Sequence, residues 1–77
     1  MVQNRNLHVV YDGTKWAIAE EGIGRVASNL ELAKAIAIAT SLAVARGILI
    51  YVHEKDGCIA KRVDFRGPLD LREKNVP

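Results

Sequence analysis

The chain has 77 residues, nearly half of them apolar, and eleven basic against nine acidic side chains give a net charge of +2. That size supports one domain with a modest core, and the composition excludes wholesale disorder. The charge is too small to argue for nucleic acid by itself, and the single cysteine, Cys58, excludes an intrachain disulfide framework.

The opening MVQNRN is polar and is expected to be a loose end, with no apolar stretch of signal length, so a cytoplasmic location is expected. Leu7 to Tyr11, LHVVY, is β-branched and aromatic and reads as a strand. Asp12-Gly13 is a two-residue turn signal, because Gly takes positive φ freely. Lys15 to Glu20, KWAIAE, returns as the second strand. Alternation puts Leu7, Val9, Tyr11, Trp16 and Ile18 on one face and Val10, Ala17 and Ala19 on the other. Glu21 to Gly24 reads as a turn, and Arg25 to Ala27 as a short third strand.

Asn29 to Arg46, NLELAKAIAIATSLAVAR, reads as the helix, about 18 residues and roughly 27 Å long. Ser28 to Glu31 has the Ser-x-x-Glu form of a capping box, and Arg46-Gly47 has the form of a helix end. At 100° per residue, Leu32, Ala35, Ile36, Ala39, Leu42 and Ala43 share a core stripe. The opposite side is also poor in charge, with Ala37, Ile38, Val44 and Ala45 outside the stripe. Alanine tolerates water in a helix, but Ile38 and Val44 point to a second covered surface. The uncharged run Ala35 to Ala45 is eleven residues. A bilayer crossing needs about 20, so no membrane span is expected.

Ile48 to His53, ILIYVH, is apolar on both faces and reads as a central strand. Glu54 to Gly57 is a turn, and Cys58 to Phe65 is the last strand, with Ile59 and Val63 inward and Arg62 and Asp64 outward. Lys61 on the inward side marks that strand as an edge. Gly67-Pro68 stops it. The expected architecture is α+β: a single antiparallel sheet built from two hairpins, β-β-(β)-α-β-β, with one helix across one face. Residues 1–67 form the domain and 68–77 a short C-terminal tail.

His8-Val9-Val10, Asp12-Gly13, Trp16 and Glu21-Gly22, followed by YVHEKDGCI from Tyr51 to Ile59, resemble domain-of-unknown-function family 2188, a group of small, mostly bacterial proteins. The resemblance covers roughly Leu7 to Gly67. It implies a small, soluble α+β protein. No established activity comes with it, so no residue inherits a role. The chain departs from the family at Ala37, Ile38, Thr40, Val44 and Ala45, where members tend to carry Glu, Arg or Lys.

Catalytic, cofactor and metal sites are not expected. Cys58 with His8 or His53 could form a nucleophile and base, but nothing in the spacing brings a base to the thiol, and no paired metal-ligand spacing exists. Gly22-Ile23-Gly24 lacks the rest of a phosphate-binding fingerprint. The reading that fits best is a non-enzymatic module that self-associates as a homodimer. Its interface would use the helix flank (Ile38, Val44, Ala37, Ala45, Ser41) or the second sheet face (Val10, Ala17, Ala19, Ile50). The alternative is a small nucleic-acid-binding protein using Lys61, Arg62, Arg66, Arg25, Lys15 and Lys55.

Overall fold

The computed structural model describes residues 5–66. Five strands and one helix follow in the order β1 (Leu7–Tyr11), β2 (Trp16–Glu20), β3 (Gly24–Leu30), α1 (Leu32–Arg46), β4 (Leu49–His53) and β5 (Ile59–Asp64). The strands form one sheet in the order β3-β2-β1-β4-β5. The architecture is α+β, as expected, but the sheet is mixed: β1 and β4 run parallel, and the other three pairings are antiparallel. The parallel pair follows from strand parity. In the meander β1 and β3 run the same way, and the returning helix starts β4 in that same direction. Docking β4 on β1 therefore makes a parallel pair with a helical crossover.

The helix packs on β1, β2 and β4. Its fully buried residues are Ala35, Ala39 and Ala43, four residues apart, which lets the helix approach the sheet closely. Against them lie Leu7, Val9, Trp16, Ile18, Ile48 and Ile50, with Ile38 and Leu42 packed at the margin. Two expectations for the stripe are corrected. Leu32 and Ile36 are 38% and 37% exposed, and Ile38 belongs to the core margin instead of the outer flank. The contact ridge is narrow because the alanines define it, so the larger residues beside it are only partly covered.

The helix start is also corrected. Ser28 to Leu30 continue β3 instead of capping the helix, and Glu31 is the N-cap without a side-chain capping bond. Glu31 instead accepts from Lys15 Nζ at 3.1 Å. The strand reaches that far because it carries two register shifts against β2, with Trp16 opposite Leu30, Ile18 opposite Ala27 and Ala19 opposite Arg25. Three residues face two in the first interval and two face one in the second, so β3 is bulged twice. Asn29 absorbs one of these at φ 63, a left-handed conformation that Asn tolerates better than most residues. The helix end is as expected: Gly47 lies at φ 69, and its N–H donates to Ala43 O at 2.7 Å.

The other hairpin follows its sequence. Gly57 takes φ 96 at the end of the Glu54–Gly57 turn, and Glu54 N donates to Cys58 O at 2.6 Å. β5 is an edge strand, with Val63 opposite Ile50 on the helix side. A register shift between Val52 and His53 puts Ile59 opposite His53, away from the helix and 56% exposed, against the inward placement expected. Ile50, expected on the second face, is 2% exposed in the helix-facing core. Asn6, just before β1, is engaged: its Oδ1 accepts from Leu49 N at 3.0 Å, and its O from Glu21 N at 3.0 Å. The expected tail, 68–77, lies outside the described residues.

Candidate functional site

The sheet face turned away from the helix is the more distinctive surface. Strand alternation and register place His8 and Val10 of β1, Ala17 and Ala19 of β2, and Leu49, Tyr51 and His53 of β4 on it. Ala17 and Leu49 are 0% and 5% exposed although they stand outside the helix-facing core. Val10, Ala19, Tyr51 and His53 are half-buried. Ion pairs lie around the face. Arg25 lies 3.6 Å from Asp12, and Arg66 and Arg62 approach Asp64 at 3.0 and 3.9 Å.

At one end of this face a chain of hydrogen bonds crosses the β1–β4 junction. His8 Nε2 lies 2.8 Å from Glu21 Oε2 in the turn after β2. His8 Nδ1 lies 2.8 Å from His53 Nε2 on β4. His53 Nδ1 lies 3.0 Å from the Gly57 carbonyl, which can only accept, so Nδ1 carries a proton. Tyr51 stacks on His8 with ring centres 5.0 Å apart. The parallel register makes this cluster: His8 is opposite Tyr51, and His53 is two residues further along the same face. Read as an antiparallel sheet, the sequence gives no reason to join the two histidines.

Cys58 does not gain a base. Its N–H is bound to Asp56 Oδ1 at 2.9 Å, and it is exposed. The hydrogen bond from its thiol to Asp56, together with the charges of Asp56 and Glu54, pushes the thiol above its usual range. That favours the thiol over the nucleophilic thiolate. Asp56 and Asp12 are held below the usual carboxylate range, foremost by the backbone N–H groups of Cys58 and Lys15 respectively. Both are turn-closing acceptors. Among the described residues no group of three or more His, Cys, Asp or Glu is placed to hold a metal ion.

The six cations considered for nucleic acid are spread over the molecule. Lys15 is paired with Glu31, Arg25 with Asp12, and Arg62 and Arg66 with Asp64. Lys55 sits over the Tyr11 ring at 5.1 Å. Arg25 is on one edge of the sheet and Arg62 on the other, while Lys61 is opposite Val52 and therefore on the helix side. Of the helix flank, Val44 is 54% exposed, and Ala37, Ser41 and Ala45 are exposed beside it. Among the described residues no helix is long and apolar enough to cross a membrane.

The family model described as "Uncharacterized protein conserved in bacteria (DUF2188)" matches residues 7–65, all five strands and the helix. The chain belongs to that family. No curated protein and no solved structure matches it.

Proposed function

We propose that the protein is a non-catalytic binding module that pairs with a second copy of itself through the sheet face opposite the helix. The observation that carries this reading is the one-sided core. A single helix covers one face, and the other presents the half-buried Val10, Ala19 and Tyr51 around the already buried Ala17 and Leu49. A second layer is the usual fate of such a face in a small domain. The largest fully buried side chains are Leu7, Ile18, Ile48 and Val9, so the core is small and burial of a second face would add to it.

A second copy suits the rim. The β5 edge carries both signs of charge, Arg62 with Asp64 and Arg66 beside them, and Arg25 on the β3 edge reaches Asp12 in the turn between β1 and β2. A two-fold arrangement that brings the two β5 edges together can therefore set opposite charges against each other. The helix flank expected to self-associate is the weaker choice, since Ile38 is engaged with the core and the exposed Val44 is left with Ala37, Ser41 and Ala45 of that set. For nucleic acid, four of the six cations already have carboxylate partners, which lowers the field a phosphate backbone would meet.

Size-exclusion chromatography with light scattering at tens of micromolar tests the proposal. The expected mass is twice 8.5 kDa. Ala19→Arg on the sheet face is expected to give a monomer, and Val44→Asp on the helix flank to leave the dimer intact. A monomeric wild type, or a dimer lost only with Val44→Asp, overturns it. A gel shift at low salt is expected to show no nucleic-acid complex.

A further inference from the structure

We propose that the outer edge of β5 pairs with the β5 edge of a second copy, antiparallel and in one register, with Arg62 of each chain opposite the partner's Asp64. The pairing runs two five-stranded sheets into one. It is separate from the face-to-face contact, because it uses a strand edge and leaves the open face uncovered.

The sheet ends in two edges, β3 and β5. An edge strand offers unpaired N–H and C=O groups to any strand that can lie beside it, and proteins commonly blunt such edges with bulges. β3 is blunted: it is bulged twice against β2, and Asn29 in it turns left-handed at φ 63. β5 is regular over most of its length. Its one register shift lies at Ala60, and from Lys61 to Asp64 it stays in unbroken register with Val52 to Leu49. Among the described residues nothing lies beyond it in the sheet.

One bond sets the backbone phase of that edge. Phe65 N donates to Ile48 O at 3.0 Å, so Phe65, and by alternation Val63 and Lys61, turn their backbone groups toward β4. Arg62 and Asp64 turn theirs outward. A second copy meets them with the same outward set, which along this stretch is even-numbered in both chains. The two-fold axis of an antiparallel pair therefore falls at a residue of β5 and not between two.

Charge selects the residue. Opposed residues in an antiparallel pair stand side by side on one face, where like charges repel. An axis at Lys61, Arg62 or Asp64 sets that residue against its own charge. An axis at Ile59 or Ala60 falls at the register shift. Val63 remains. With the axis there, Arg62 lies opposite the partner's Asp64 and Asp64 opposite the partner's Arg62, both on the open-face side, where the two side chains are 53% and 40% exposed. Within one chain Arg66 holds Asp64 at 3.0 Å while Arg62 stands off at 3.9 Å, so Arg62 is placed to reach across. Arg62-Val63-Asp64 is its own complement read backwards, which identifies the occupant as a second copy of this chain. Lys61, whose charge on the helix side guards the edge against an arbitrary strand, falls opposite the partner's Phe65, a ring that suits its stem and ammonium.

Disulfide trapping tests the register. In a Cys58→Ser background, Val63→Cys brings two thiols together at the axis with Cα atoms about 4.5 Å apart, inside the range a disulfide spans. Lys61→Cys, on the same strand and face, stands four residues from its own copy, about 13 Å away and out of reach. The overlap is short, so the pairing is read near about one millimolar, with copper phenanthroline as oxidant. Val63→Cys is expected to form linked dimer at least about tenfold faster than Lys61→Cys. Arg62→Asp or Asp64→Arg, each added to Val63→Cys, is expected to lose that advantage, and the two together to restore it. Equal rates for the two cysteine variants, or an advantage untouched by the single charge reversals, overturn the proposal. Ala19→Arg, which removes the face contact, is expected to leave trapping unchanged. Trapping lost with Ala19→Arg overturns the proposal, whereas a face contact that fails while trapping persists leaves it standing. Amide exchange of the wild type gives a second readout that needs no variant. The Arg62 and Asp64 amides are expected to exchange at least about threefold more slowly near one millimolar than near fifty micromolar. Exchange at these amides that is independent of concentration contradicts the pairing.

Discussion

Gly47 closes the helix at φ 69, where a side chain is strained, and a Cβ added there would meet only Phe65 O at an ordinary 3.6 Å. The cost of Gly47→Ala is therefore mostly backbone strain, about 1–2 kcal/mol, and Gly47→Asn should recover part of it. Thermal unfolding of the two variants checks this. Ala39 is 0% exposed in the middle of the alanine ridge. Ala39→Leu has nowhere to go without lifting the helix and is expected to destabilise by about 1–3 kcal/mol. At the surface, Asp64 is held down to about 2, chiefly by a hydrogen bond from the Arg66 side chain. A depressed carboxyl stabilises the fold above its unfolded value of 3.8, and that contribution is lost as pH falls from there toward 2. Asp64→Asn should remove this acid sensitivity, most visibly at low salt, because the pair is exposed and screened.

At the scale of elements, the helix has an unused opportunity at its start. Glu31 is the N-cap without a side-chain capping bond, and its exposed contact with Lys15 is worth little. Glu31→Ser is expected to raise stability by about 0.5–1 kcal/mol, read as an upward shift in Tm of a few degrees. The same element shows where sequence reading succeeds and fails. Gly47 after Arg46 marks the end because only a left-handed residue fits there. Ser28-x-x-Glu31 imitates a start, but Asn29 turns left-handed and keeps Ser28 in a bulged edge strand. Periodicity finds a helix whatever its azimuth, but eleven apolar positions among the fifteen of Leu32–Arg46 leave the contact face ambiguous. Close packing of Ala35, Ala39 and Ala43 decides it, at the expense of Leu32 and Ile36. Likewise Ile59 alternates inward on paper and outward in the sheet, because one shift in β5 reverses every residue beyond it.

At the scale of the whole molecule, the class and the family were legible in the sequence, and the strand order was not. Whether β4 docks beside β1 or elsewhere depends on packing between distant segments, and the histidine chain exists only because it docks there, in parallel. The open sheet face is likewise a property of the assembled sheet: Val10, Ala17 and Ala19 alternate outward in the sequence, but their company with Leu49 and Tyr51 comes from the junction. Self-association through that face is the central claim. Concentration-dependent ¹⁵N–¹H spectra test it most directly, because they locate the surface as well as detect it. Between about ten micromolar and one millimolar, amides of Val10, Ala17, Ala19 and Tyr51 should shift together while those of Ala37, Ser41 and Val44 stay fixed. Shifts confined to the helix flank, or none anywhere in a protein that stays monomeric, would contradict the account.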